Sequence, residues 1–74
     1  MPQVKTLREW LKEHKPEEEL DITFLDKNNQ EIDDYTTVED ALANYSDKLL
    51  NSHVIIGKII DEQVNVYYVN CRIQ

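Results

Sequence analysis

Cysteine and glycine each occur once in this chain of 74 residues, and proline twice. A single cysteine excludes a disulfide framework and a zinc site built from thiolates. A single glycine excludes a Gly-rich phosphate loop, which needs several. Bases are scarce too. Eight Lys+Arg stand against 15 Asp+Glu, a formal net charge of −7, which argues against a strongly basic nucleic-acid binder. No apolar run approaches the ~20 residues that span a bilayer. The opening Met1-Pro2-Gln3-Val4-Lys5-Thr6 has no apolar core of a secretory signal. The expectation is one small acidic domain over residues 1–74, cytoplasmic and not in a membrane. A domain this short buries only ~60% of the surface its unfolded chain exposes.

Local patterns supply the elements. Thr6-Leu7-Arg8-Glu9 has the spacing of a capping box, and Val4, Leu7, Trp10 and Leu11 then share one face at helical period. This predicts a helix over about 7–15, ended by Pro16, which disfavours helical backbone at Lys15. Leu20-Asp21-Ile22-Thr23-Phe24 alternates and predicts a strand with one buried face. Asp26-Lys27-Asn28-Asn29-Gln30 is turn chemistry, and Glu31-Ile32-Asp33 a short returning strand. Thr36 with Glu39 predicts a second capping box. Val38, Ala41, Leu42 and Tyr45 follow it as a helical stripe, with Leu49 and Leu50 extending it after a break near Ser46-Asp47. The β-branched runs His53–Ile60 and Val64–Cys71, three residues apart, predict a hairpin. The fold expected is α+β: two amphipathic helices packed on a three- to four-stranded antiparallel sheet, in the order α-β-(β)-α-β-β.

The stretch from Thr6-Leu7-Arg8-Glu9-Trp10-Leu11 to Pro16-Glu17-Glu18-Glu19-Leu20-Asp21-Ile22 resembles the opening of small accessory proteins carried by bacteriophages and other mobile elements. That resemblance covers the first third of the chain. It implies a phage-like origin and a non-enzymatic, partner-binding role, and assigns no residue a function.

Chemical motifs are few. Asp26-x-Asn28-x-Gln30 echoes a calcium loop, but Glu31 and Thr37 occupy the positions that need Gly and a bidentate Glu. His14 and His53 have no sequence-local partners for metal binding or acid–base work. Cys71 lies in a strand with Arg72 pointing the other way, so a buried apolar role is expected of it. We expect no catalytic residue, no metal and no cofactor.

Charge is distributed unevenly. Residues 16–47 hold eleven acids and one base, Lys27, whereas Lys5, Arg8, Lys12 and Lys15 are spaced to line one side of the first helix. The hairpin runs are apolar on both faces: Val54, Ile56 and Ile60 against Ile55 and Ile59, and Val64, Val66 and Tyr68 against Tyr67, Val69, Cys71 and Ile73. Two short helices do not easily cover both sides of a sheet: either they split between the faces, or one face is a subunit or partner interface, and the interface is the expectation. The function expected is non-enzymatic protein–protein interaction by a small acidic accessory protein. One form of that role is inhibition of a basic or nucleic-acid-binding host protein. The partner expected is a protein with a basic surface, without direct nucleic-acid contact. The partner-binding residues expected are Asp33, Asp34, Glu39, Asp40, Tyr67 and Val69. A homodimer through the hairpin is expected as well. The alternative is a self-assembling structural subunit of a larger phage particle.

Overall fold

The computed structural model describes residues 5–61 and 66–73. It is α+β, with seven elements: α1 (Leu7–Lys12), β1 (Glu19–Leu25), β2 (Glu31–Thr37), α2 (Val38–Asn44), α3 (Asp47–Leu50), β3 (His53–Asp61) and β4 (Val66–Arg72). The four strands form one sheet in the order β2-β1-β4-β3. The β1–β2 and β3–β4 pairs are antiparallel hairpins, but β1 and β4 run parallel in the centre. The sheet is therefore mixed, not antiparallel as the local patterns suggest. Each hairpin is visible in sequence; the junction between hairpins is a tertiary choice.

The Thr6 capping box forms as expected: its hydroxyl accepts from Glu9 N and the Glu9 carboxylate accepts from Thr6 N. α1 stops at Lys12, short of the expected end. Glu13 N and His14 N turn back to Trp10 O and Leu11 O, tightening the last turn, and His14 Nδ1 lies 2.7 Å from Trp10 O. In the β1–β2 turn, the Asp26 carboxylate accepts from Asn28 N and Gln30 N, and Asn29 takes a left-handed φ of 61°. The residues of the calcium-like motif thus build an Asx-type turn. β2 runs on to Thr37, four residues past its expected end.

The helical stripe after β2 breaks into two helices, because Tyr45 is extended and Ser46 caps α3 afresh through Leu49 N. The cap of α2 is Thr37, whose hydroxyl accepts from Asp40 N, not Thr36. Thr36 is the last β2 residue bonded to β1. Thr37→Ala is therefore expected to cost about 1 kcal/mol and Thr36→Ala less than half of that, measured by urea denaturation. Equal costs would return the cap to Thr36.

All three helices cover one face of the sheet. Leu20, Ile22 and Phe24 of β1 and Val69 and Cys71 of β4 point toward them and are fully buried. Leu7, Trp10 and Leu11 of α1, Val38 and Ala41 of α2, and Leu50 close the core. Phe24 meets Tyr45 edge to face at 5.5 Å. Gly57, opposite Val69 on β3, also faces this side, and the indole of Trp10 lies directly over it.

Candidate functional site

No described helix or loop covers the second face of the sheet. Its occupants follow from strand parity. On β1 the residues alternating with the buried ones are Glu19, Asp21, Thr23 and Leu25. Their partners across the β1–β2 ladder are Thr37, Tyr35, Asp33 and Glu31, and across β1–β4 they are Val66, Tyr68, Asn70 and Arg72. On β3, Lys58 stands beside Tyr68, Ile56 beside Asn70 and His53 beside Arg72. Four adjacent acids, Glu19, Asp21, Glu31 and Asp33, thus occupy the β1–β2 half. Lys58 and Arg72 stand on the β3–β4 half, with Ile56 and Tyr68.

Short contacts order the acidic half. Thr23, which is buried, donates its hydroxyl to Asp33 Oδ1 at 2.7 Å. Asn70, next to Thr23 across the β1–β4 ladder, has a buried amide oxygen with no donor among the described residues. The Thr23 hydroxyl proton is committed to the Asp33 carboxylate. Tyr35 is 58% exposed. Crowding by its neighbours, then the Glu19 and Asp21 carboxylates, push its phenol above the ordinary tyrosine value.

The expected binding residues separate in space. Asp33 lies on the open face, exposed. Asp34 points to the helical side, where its carboxylate accepts from Tyr45 Oη at 2.6 Å. That bond, after burial, raises the Tyr45 pKa. Asp34 is thereby engaged in fastening α2 to β2. Glu39 and Asp40 are exposed in the first turn of α2, where negative charge also suits the helix dipole.

Tyr67 and Val69 require correction. Both face the helices, since their β1 partners are Leu20 and Ile22. Val69 is 0% exposed, so it belongs to the core. Tyr67 packs edge-on against Trp10 at 5.5 Å and His14 at 4.7 Å. The β4 aromatic on the open face is its neighbour Tyr68, which joins Tyr35 of β2 there. The face assignment on β3 also changes. A bulge between Val54 and Ile56 sends Val54 to the helical side with Cys71 and Ile56 to the open side with Asn70. Residue 64, expected in the second run, and residue 4, expected on the face of the first helix, lie outside the described residues. Glu19, Asp21 and Glu31 belong to the acidic stretch of residues 16–47, but neither they nor Tyr35 are among the expected binding residues. The alternation of Leu20–Phe24 was the signal that placed Asp21 outward.

Two of the four bases of the expected stripe are engaged within the fold. Lys5 pairs with Glu13, and the Arg8 guanidinium binds Asp47 at 2.9 Å and Asn51 at 2.8 Å. Lys15 lies beyond the end of α1. No described helix is long and apolar enough to cross a membrane.

Cys71 is fully buried, and burial pushes its thiol up to about 11 from 9.0, partly offset by Ser52. Because the folded value is the higher, the unfolded chain loses this proton first. The contribution is intact below pH 9 and is lost as pH rises toward 11. Thermal melts should show stability falling between about pH 9 and 10, before tyrosine ionisation dominates, and Cys71→Ala should flatten that interval. An unchanged fall in the variant would assign it to another group.

No protein-family model matches this chain, and no curated protein or solved structure matches it. The functional reading therefore rests on the surface itself.

Proposed function

We propose that this chain is a non-enzymatic protein-binding domain whose open sheet face meets a partner of basic surface. One observation carries the reading: the helices all pack on one side, and the uncovered side is divided by charge, with Glu19, Asp21, Glu31 and Asp33 contiguous on β1 and β2. Contiguous carboxylates focus a field that draws a basic surface in and fixes its orientation. Glu39 and Asp40 extend the same field beyond the end of β2. The N-terminal resemblance to phage accessory proteins agrees with a role of this kind, including inhibition of a basic host protein.

The direct test titrates a lysine decapeptide into the protein and follows backbone amides by NMR. Shifts should concentrate on β1 and β2, and Asp21→Asn with Asp33→Asn should weaken binding by about tenfold, or about 1.4 kcal/mol. Binding should also weaken as salt rises from about 50 to 500 mM. Shifts centred on α1, or indifference to the double substitution, would remove the open face from the reading.

A second reading, self-association as a homodimer or as a subunit of a larger particle, is favoured by the isoleucines on β3. Ile55, Ile56 and Ile59 are 52%, 45% and 36% exposed. Sedimentation equilibrium at micromolar concentration should then show at least twice the monomer mass. A monomer throughout would leave the heterologous partner alone.

A further inference from the structure

The two edges of the sheet differ. On β3 the outer edge is already engaged at one end: Val54 N donates to Lys5 O, and Thr6 bridges His53. Two irregularities, at Val54/Ile56 and Ile59/Asp61, interrupt the rest. Bulges and covering segments are how edges are closed to further strands. β2 has neither. Its register against β1 is unbroken over seven residue pairs.

Hydrogen-bond parity fixes which groups β2 presents outward. Bonds flank the ladder at both ends, Asp26 N to Gln30 O and Val38 N to Glu18 O. Antiparallel pairs alternate between bonded and non-bonded. Carried through the register, Ile32, Asp34 and Thr36 bond inward to β1, so the N–H and C=O of Glu31, Asp33 and Tyr35 point away from the sheet. Among the described residues none bonds to them. The same three side chains stand on the open face. Between them Ile32, 53% exposed, stands on the helical side.

We propose that the outer edge of β2 accepts an extended basic segment of the partner as an added antiparallel strand. Residues opposite Glu31 and Asp33 carry basic side chains over the open face and turn their own amides toward β2. Residues alternating with them carry apolar side chains beside Ile32. This inference rests on the acidic-face reading and adds the mode of binding. Backbone bonds supply the attachment, and alternate side chains the selection. Charge also selects the occupant. A second β2 edge would set carboxylates opposite carboxylates, which is repulsive, whereas a basic strand makes cross-strand ion pairs.

The probe is a blocked nonapeptide of alternating lysine and valine, titrated at low salt and followed by NMR. Amide shifts should be largest from Glu31 to Thr37. Methylating the lysine amides should abolish binding, while methylating the valine amides should leave it nearly unchanged, because only the former face β2. On the protein, Tyr35→Pro removes an outward N–H without touching the β1 ladder, so it should fold and bind about tenfold more weakly. The peptide arm stands even if that variant is unstable. Equal or reversed effects of the two methylation patterns overturn the added strand, as does absence of peptide binding. The two proposals fail separately. If the lysine decapeptide still binds and still responds to Asp21→Asn with Asp33→Asn, the acidic face survives without the strand. If that response is missing, the face reading itself fails.

Discussion

Trp10→Ala should lower the unfolding free energy by about 3–5 kcal/mol, a large share of the stability of so small a domain. The indole is only 7% exposed. It stacks on the His14 ring at a centroid distance of 3.8 Å and meets Tyr67 edge-on. It also lies across β3 at Gly57, so it joins α1 to both strands of the second hairpin. Truncation leaves a cavity between a six-residue helix and the sheet. A helix that short cannot hold itself together without packing. Urea denaturation measures the loss. A change below about 1 kcal/mol would mean that the ring is not part of the core.

Gly57→Ala should destabilise by about 1–3 kcal/mol, although alanine is ordinarily the better residue in a strand. A Cβ at this position would stand 2.5 Å from Trp10 Nε1 and 2.9 Å from Cε2. The ring cannot retreat freely, because His14 and Tyr67 hold its other surfaces. The glycine is therefore required by close approach, not by backbone conformation; the chain has no glycine at positive φ among the described residues. A double-mutant cycle tests the cause. In the Trp10→Ala background, Gly57→Ala should become neutral or stabilising by about 0.5 kcal/mol, as the loss of chain freedom in the unfolded state then dominates. Additive losses would mean that the two residues act independently.

These two residues also mark the boundary between what local pattern fixes and what assembly decides. The sequence by itself determined the α+β class, the Thr6 cap, the Leu7–Trp10–Leu11 face, the Asp26 turn and the strands. These depend on neighbours within a few positions, through capping bonds and the periods of helix and strand. The charge imbalance of residues 16–47 was equally legible, being a matter of composition. Tertiary structure decided the rest. The parallel β1–β4 pairing joins residues about fifty positions apart, and it alone brought Asp21 beside Tyr68 and buried Val69 behind Ile22. Strand alternation told Tyr67 from Tyr68 but not which of them faces helices, because both hairpin faces are apolar in sequence. The bulge at Val54/Ile56 then reversed parity along β3. Asp33 and Asp34, adjacent in sequence, were placed on opposite sides of the sheet, one in the open field and one bonded to Tyr45. A strand's sequence carries two faces but not their destinations. Those are set by which strands become neighbours and by the side on which the helices pack.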